Sequence, residues 1–258
     1  MNPDNGRTSC RFIVRLTFHG DLLFFLKSRT PGLERQLSER TSIKDVIEAC
    51  GVPHTEVDLI LVNNEPVDFA AILIQDTVVD VYPPGETCSP LFPKDRLQVR
   101  QIEKFVADGH LGKLVRDLRL LGIDVSYDSM ADDRQLVRSA TDEDRALLTR
   151  DRRLLMHTAV RHGYYLRSQD PMEQTVEVLR RYNLASTLAP FSRCLRCNAA
   201  LEQARKAEVI AQLEPLTKLY YEQFRRCRGC GQVYWSGSHF DKLRARVEGV
   251  RAILADHS

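Results

Sequence analysis

The sequence has no long apolar run. No segment of the 258-residue chain approaches the roughly 18 uninterrupted apolar residues that a membrane-spanning helix needs. The first ten residues, MNPDNGRTSC, also lack the apolar stretch that a signal peptide requires. We therefore expect a cytoplasmic protein that has no membrane partner.

The chain also lacks the even cysteine count that is typical of a disulfide framework. It has seven cysteines, and an odd number in a cytoplasmic protein favours thiols or metal ligands. Four of them form two Cys-x-x-Cys pairs, Cys194 with Cys197 and Cys227 with Cys230. Such pairs can supply the four thiolates of a tetrahedral zinc site, and a complete protein shell makes the zinc structural. Redox activity of the pairs is the alternative interpretation.

A strong overall charge is missing too, because the formal net charge is only +2. That average conceals a gradient along the chain. Residues 1–100 carry 11 Lys and Arg against 14 Asp and Glu, residues 101–190 carry 14 against 14, and residues 191–258 carry 12 against 7. The basic last part favours a polyanionic partner, although an ordinary basic surface is an equal alternative.

Residues 10–85 have the pattern of a small α+β domain. RFIVRLTF alternates like a strand, TSIKDVIEAC has helical spacing, and further strand-like runs follow. This order resembles the β-grasp, ubiquitin-like fold of sulfur-carrier proteins. Those carriers act through a free C-terminal Gly-Gly, which is absent here because the chain continues, so sulfur carriage is not expected. The stretch PPGETCSPLFP then predicts a linker.

Residues 101–188 alternate between strand and helix patterns four times. The predicted strands are IEKFVAD, IDVSYD, RALLT and YYLRS. The predicted helices are GHLGKLVRDLRLLG, DDRQLVRSA, RRLLMHTAVRH closed by Gly163, and PMEQTVEVLRRYNL. We expect Gly122 to terminate the first helix and Pro171 to begin the last one. Four such units predict a mostly parallel sheet that is covered on both faces.

Acidic residues follow the predicted strands and begin the second helix. They are Asp108, Asp128, Asp151, Asp170, Asp132 and Asp133. The carboxyl ends of parallel strands form one edge of a sheet, so these carboxylates are expected to converge there and to need a divalent cation. Oxygen ligands favour Mg²⁺ or Mn²⁺. For each residue singly, helix capping is the alternative, and Asp170 before Pro171 is its best example.

The motifs together carry a family resemblance over about residues 103–245. FVADGHLGKLVRDLRLLGIDV, LLTRD, SRCLRCN and FRRCRGCGQVYWSGSHF occur in an order similar to that of the Mut-seven C-terminal RNase-like family, a zinc-ribbon-bearing branch of the PIN-domain nucleases. The β-grasp domain resembles the ubiquitin-like domain that is fused to bacterial members.

The resemblance implies three domains in a fixed order. A β-grasp domain is followed by a PIN-like α/β domain with a parallel sheet over residues 101–188, and then by a C-terminal zinc ribbon over residues 189–245. It also implies a metal-dependent ribonuclease whose acidic residues are Asp108, Asp133 and Asp151, with Mg²⁺ or Mn²⁺ as the catalytic ion.

The sequence departs from the pattern of PIN nucleases in one respect. Those enzymes often have a fourth acid, and only Asp170 is available for that role here. Arginines that can contact RNA phosphates flank the proposed acidic site and the cysteine pairs. They are Arg150, Arg152, Arg153, Arg193, Arg196, Arg225, Arg226 and Arg228.

Two other functions remain open. The chain could be a non-catalytic RNA-binding module, or a platform on which the β-grasp domain binds a protein partner. Near the second cysteine pair, we expect Tyr234 and Trp235 to lie in the core of the ribbon rather than to stack on bases, and His239 to be a packing or surface residue.

Overall fold

The computed structural model describes residues 11–85, 92–98, 101–237 and 239–256. Most of the predicted linker PPGETCSPLFP, and the first ten residues, lie outside this part of the chain. The fold divides into two compact units. The N-terminal unit comprises Met1–Val99 and Asp151–Gly163, and the C-terminal unit comprises Arg100–Arg150 and Tyr164–Ser258.

The N-terminal unit is built on a mixed five-stranded sheet. The five strands of this sheet are β1 (Phe12–Phe18), β2 (Gly32–Leu37), β4 (Leu59–Val62), β5 (Glu65–Val67) and β7 (Thr77–Tyr82), and two short strands, β3 (Thr41–Ser42) and β6 (Ile72–Leu73), lie outside it. The sheet order is β2-β1-β7-β4-β5, and β3 pairs separately with β6. The central strands β1 and β7 are parallel, whereas the other pairs are antiparallel. This arrangement confirms the predicted β-grasp fold.

An α-helix follows β3 and contributes apolar side chains to the core of this unit. Helix α1 (Ile43–Ala49) begins where the hydroxyl oxygen of Ser42 accepts a hydrogen bond from the backbone amide of Asp45. Its Ile43, Val46 and Ile47 are buried, as the helical spacing predicts.

The C-terminal unit contains the predicted parallel sheet. The strands are β8 (Lys104–Ala107), β9 (Asp124–Tyr127), β10 (Ala146–Thr149) and β11 (Gly163–Tyr165). The α-helices of this unit along residues 101–188 are α2 (Gly112–Leu120), α3 (Asp133–Asp142) and α5 (Pro171–Arg181), whereas α4 (Arg152–Leu155) belongs to the N-terminal unit. The sheet order is β11-β10-β8-β9, with β8 parallel to both β9 and β10. All four residues of β10 are buried, as expected for a strand covered on both faces.

Local signals in the sequence explain where several helices begin and end. Gly122 follows α2 with a φ of +90°, and a Cβ atom there would lie 2.3 Å from the carbonyl oxygen of Ala189. Only glycine fits this close approach. Pro171 begins α5 directly after its capping residue Asp170, which confirms that prediction.

The predicted helix RRLLMHTAVRH is wrong beyond its first turn. Helix α4 ends at Leu155, and the ring of His157 then accepts a hydrogen bond from the backbone amide of Ala159, with Nδ1 and N 3.2 Å apart. This bond fixes a turn in which the amide of Val160 donates to the carbonyl of His157. Gly163 begins β11 instead of closing a helix.

The described residues after 190 form a small antiparallel sheet and three α-helices. Strands β12 (Leu201–Ala204), β13 (Phe224–Cys227) and β14 (Val233–Trp235) pair in that order. The helices are α6 (Lys206–Val209), α7 (Pro215–Tyr220) and α8 (Phe240–Ala255). Val247 and Val250 of α8 pack into the core of the parallel-sheet domain. No helix among the described residues is both long and apolar enough to cross a membrane.

Candidate functional site

The four cysteines of the two pairs lie together in the C-terminal unit. The Sγ atoms of Cys194 and Cys230 are 3.6 Å apart, and those of Cys197 and Cys227 are 3.3 Å apart. Within the described part of the chain, this is the one group of three or more His, Cys, Asp or Glu residues whose ligand atoms all lie within 4.8 Å of one another. Four sulfurs at about 2.3 Å from a shared zinc would be about 3.8 Å apart. The group can therefore hold a metal such as zinc.

Glycine and backbone amides shape the second cysteine pair into a knuckle. The amides of Gly229 and Cys230 point to the Sγ atom of Cys227 at 3.3 and 3.4 Å. A Cβ atom on Gly229 would lie 2.9 Å from the Cβ atom of Ala199, so this position requires glycine. Amide donors around a sulfur favour its thiolate form, which is the form that binds metal.

The two deeply placed thiols differ in their tendency to ionise. Burial opposes ionisation of Cys194, but hydrogen bonds from the Tyr234 hydroxyl, at 3.1 Å, and from the backbone lower its pKa to about 6. Burial raises the pKa of Cys227 to about 12. A bound divalent ion supplies the positive charge that ionises both thiols.

A buried arginine fastens the first cysteine knuckle to the parallel sheet. Arg119 of α2 is 4% exposed. Its guanidinium donates to the carbonyl oxygens of Leu195 and Arg196 at 3.2 and 2.9 Å, and to that of Val125 in β9 at 2.8 Å. Burial lowers the pKa of Arg119. Because β9 is an edge strand of the parallel sheet, Arg119 connects the first cysteine knuckle to the edge of that sheet.

Asn198 makes a second connection between the same two elements. Its φ of +70° is tolerated better by asparagine than by most residues. Its side-chain amide donates to Asp124 at 2.8 Å, and its side-chain oxygen accepts from the amide of Val125 at 3.1 Å. Asp124 also pairs with Arg145 at 2.6 Å and with Arg193 at 3.3 Å. Burial opposes ionisation of Asp124, but the hydrogen bonds from Arg145 and Asn198 lower its pKa.

Sequence reasoning missed Arg119, Asp124 and Asn198. One signal was available, because Arg119 interrupts the apolar stripe of α2 between two leucines that are buried in the structure. A charged residue within such a stripe indicates a specific buried partner.

Among the acidic residues, Asp108 is the most firmly placed. It follows β8, is half-buried, and its backbone amide donates to the carbonyl of Leu148 in β10 at 3.0 Å. The hydroxyl of the fully buried Thr149, at the end of β10, donates to its Oδ2 at 2.8 Å. The following residue, Gly109, is also closely packed, because a Cβ atom there would lie 2.8 Å from the carbonyl oxygen of Ser129. The carboxylate is thus fixed at the carboxyl end of two neighbouring parallel strands.

The other acidic residues are exposed and lie at turns or helix starts. Asp132 caps α3 in a reciprocal capping box with Gln135, and Asp133 is the first residue of that helix. Asp170 caps α5 by accepting from the amides of Met172 and Glu173. These contacts agree with the capping interpretation of Asp132 and Asp170.

Two further acidic residues accept hydrogen bonds from nearby backbone. Asp128 accepts from the amide of Met130 at 2.9 Å. Asp151 caps α4, with its Oδ1 2.7 Å from the amide nitrogen of Arg153 and 3.4 Å from that of Leu154. Asp151 belongs to the N-terminal unit, whereas Asp108 and Asp133 belong to the C-terminal unit.

The arginines near the acidic residues occupy different environments. Arg150 and Arg153 are exposed, and neither side chain has a hydrogen-bond or ion-pair partner among the described residues. Arg152 is half-buried, and its Nη1 donates to the carbonyl oxygen of Phe25 at 3.0 Å.

The arginines near the cysteine pairs have intramolecular partners. Arg193 donates to the carbonyl of Gly122 as well as pairing with Asp124. Arg226 and Arg228 both pair with Glu202. By contrast, Arg196 donates to the side chain of Gln232 and Arg225 to the carbonyl of Phe191, both of which are uncharged.

A groove of about 1020 Å³ borders the ribbon sheet. Gln203, Arg225 and Tyr234 lie opposite one another on the three strands and line it as one row. Trp235 also lines the groove and is 37% exposed, so the expectation that it lies in the ribbon core is wrong. His239 is exposed at the start of α8, as expected.

The charges along this groove are unevenly balanced. Glu208 pairs with Arg205, and Glu222 pairs with Lys206, so both acidic residues are neutralised by neighbours. The hydrogen-bond acceptor of Arg225 carries no formal charge. The groove therefore presents a guanidinium and an exposed indole, which are groups that contact phosphates and bases.

Comparison with known proteins identifies both halves of the chain. Residues 103–247 match the family model described as the Mut7-C RNAse domain, and residues 11–89 match the model described as Mut7-C ubiquitin. No curated protein matches the chain. Among solved structures, the solution structure of the Haloferax volcanii HVO 2177 protein is similar at 15% identity and a TM-score of 0.25, over 29% of this chain and 85% of that one.

Proposed function

The chain belongs to the Mut7-C RNAse domain family, and on that premise we propose that it is a metal-dependent ribonuclease that hydrolyses RNA phosphodiesters. The observation that carries the proposal is the placement of Asp108. Its carboxylate is half-buried at the carboxyl end of β8 and is held by the hydroxyl of Thr149 in the neighbouring strand. In open parallel sheets this edge is where ligands bind.

Asp108, Asp133 and Asp151 would hold a Mg²⁺ or Mn²⁺ ion, because carboxylate oxygens are the preferred ligands of both. The ion would supply an activated water and offset charge on the scissile phosphate. Thr149 orients the carboxylate of Asp108 by donating to one oxygen. Asp151 is oriented by the amides of α4, which fix its side chain at the start of that helix.

The zinc ribbon serves as the docking surface for RNA in this proposal. The four cysteines hold a structural zinc, since a shell of four protein ligands leaves no open position for catalysis. Arg196 and Arg225 have uncharged partners and are therefore the ribbon arginines best placed to contact phosphate. Arg226 and Arg228 can contribute as well, because exposed ion pairs such as theirs with Glu202 are weak.

Docking can be measured separately from cleavage with RNA that resists hydrolysis. We expect a single-stranded 2′-O-methyl oligonucleotide to change the fluorescence of Trp235, the one tryptophan of the chain. Its log affinity should fall linearly with log salt, and Arg196→Gln together with Arg225→Gln should flatten that slope by about 2. Arg251→Gln, on the exposed side of α8, is the matched control. A slope unchanged by the ribbon substitutions would contradict docking at this surface.

The experiment that tests the enzyme is cleavage of mixed RNA substrates with and without Mn²⁺. We expect the parent protein to cleave RNA only when the ion is present. Asp108→Asn should abolish this cleavage and leave the zinc content and the RNA affinity unchanged.

A non-catalytic RNA-binding or protein-interaction adaptor is the second candidate function. Helix capping by Asp132 and Asp151 favours it, because capping explains those residues without a metal. RNA binding without cleavage in any divalent ion would support the adaptor.

A further inference from the structure

The ubiquitin-like domain shares its compact unit with a distant segment, Asp151–Gly163, of the RNase domain. Arg152 is the first anchor of this segment. Its Nη1 donates to the carbonyl oxygen of Phe25 at 3.0 Å, and its guanidinium carbon lies 5.2 Å from the centroid of the Phe25 ring and 5.8 Å from that of Phe24. A charged hydrogen bond combined with cation–π contacts is stronger than a typical surface contact.

His54 is the second anchor. Its Nε2 donates to the carbonyl oxygen of Val160 at 2.8 Å, and its Nδ1 lies 2.7 Å from the carboxylate of Glu48 in α1. The ring of His54 and the side chain of Val160 are both buried. This bridge connects the far end of the segment to the helix of the ubiquitin-like domain.

The two anchors bracket a piece of chain that has little stability of its own. Helix α4 has four residues, whereas isolated helices shorter than about 12 residues are marginal in water. The carboxylate of Asp151 is oriented by the amides of this helix. Whatever holds α4 therefore sets the position of that carboxylate.

We infer that the ubiquitin-like domain binds the segment Asp151–Gly163 of the same chain. Through its contacts with Arg152 and through His54, the domain positions the carboxylate of Asp151. Arg152 is then a positioning residue and not an RNA ligand. Its neighbour Arg153 offers a natural contrast, because that side chain is exposed and has no partner among the described residues. The consequence for catalysis rests on the proposed role of Asp151 as a metal ligand.

Hydrogen exchange of the 258-residue chain tests the anchoring directly. Arg152→Gln removes the charged hydrogen bond, and Phe24→Leu removes one ring from the opposite side of the contact. We expect amides of residues 153–160 to exchange about tenfold faster in either variant, because local opening becomes easier. Arg153→Gln removes one positive charge from the adjacent residue and should leave the exchange rates of these amides unchanged.

Equal exchange in Arg152→Gln and Arg153→Gln would overturn the inference. If loss of zinc or an altered circular dichroism spectrum shows that Arg152→Gln is misfolded, the exchange rates of Phe24→Leu test the inference instead. Exchange as slow as in the parent would then overturn it. A double variant should show less than the sum of the two single effects, because both substitutions break the same contact.

Metal dependence provides the second readout. Arg152→Gln should raise the Mn²⁺ concentration for half-maximal cleavage about tenfold and leave the affinity for 2′-O-methyl RNA unchanged. Weakened RNA affinity with unaltered metal dependence would instead assign Arg152 to RNA binding and overturn the positioning role. If the parent protein cleaves no RNA, the proposed function fails, but the exchange measurements still decide whether the ubiquitin-like domain holds the segment.

Discussion

The four cysteines and the acidic residues are two sets of candidate metal ligands that differ in how their side chains are held. The cysteine sulfurs lie within 4.8 Å of one another. The acidic residues are each tied to their own surroundings, Asp108 to Thr149 and Asp151 to the amides of α4. The cysteine cluster is therefore assembled by the fold, whereas the carboxylates are placed by separate elements.

Charge explains this difference. Burial raises the pKa of Cys227 to about 12, so this thiol is neutral at pH 7 and can lie close to Cys194, whose pKa is lowered to about 6, without the repulsion of two negative charges. Carboxylates are ionised at neutral pH and repel one another unless a cation lies between them. We therefore expect substitutions in the cysteine cluster to affect folding, and substitutions of the proposed metal-binding carboxylates to leave the protein folded.

The largest expected effect comes from breaking the cysteine centre. Cys227→Ser should abolish zinc binding and unfold at least the ribbon, because structural zinc contributes about 10 kcal/mol or more to folding. Elemental analysis and circular dichroism measure both effects. Cys50→Ala is the control, since Cys50 is buried in the N-terminal unit and is not one of the four clustered cysteines. A folded, zinc-free Cys227→Ser protein would show that the cluster is not structural.

Substitutions at the proposed carboxylate site should have the opposite effect. Asp108→Asn should lower Mn²⁺-dependent cleavage at least about a hundredfold, because it removes charge that holds the ion, while zinc content and thermal midpoint stay near those of the parent. Asp151→Asn should behave alike. Asp241→Asn, an exposed change in the first turn of α8, is the control. Parent-like cleavage by Asp108→Asn at saturating metal would favour the adaptor function.

The same contrast explains what the sequence could predict. The cysteine pairs were found because their spacing is local, and Gly122 and Pro171 marked helix ends for the same reason. The contacts of Arg119 and Asn198 with the other element span 73 to 77 residues of chain, so no local pattern contained those partners.

Two helices show how periodicity alone can mislead. The run after Leu155 was predicted as helix, but the ring of His157 supplies a turn. Helix α8 follows the cysteine motif without a predicted counterpart, although its Leu243, Val247 and Val250 have helical spacing. The parallel order of the sheet followed from four strand–helix repeats, whereas the attachment of segment 151–163 to the ubiquitin-like domain had no sequence signal.

An intermediate effect is expected at the contact between the cysteine knuckle and β9. Arg119→Met keeps much of the apolar side-chain volume but leaves the carbonyls of Val125, Leu195 and Arg196 without this donor. We expect a loss of about 3 kcal/mol in the free energy of unfolding, measured by urea denaturation, with zinc still bound. Arg116→Met, on the exposed side of α2, should cost much less. Equal losses of unfolding free energy in Arg119→Met and Arg116→Met would show that the buried hydrogen bonds of Arg119 contribute little to stability.

The smallest effect should come from Asp170, and it separates capping from metal binding most sharply. Its carboxylate accepts from the amides of Met172 and Glu173 at 2.8 and 3.0 Å, and asparagine can accept the same bonds. Asp170→Asn should therefore change stability by only a few tenths of a kcal/mol, whereas Asp170→Ala should cost about 1 kcal/mol. Neither should slow cleavage appreciably. If Asp170→Asn cleaves RNA as poorly as Asp108→Asn while remaining as stable as the parent, its negative charge is needed, and Asp170 is the fourth acid of the metal site.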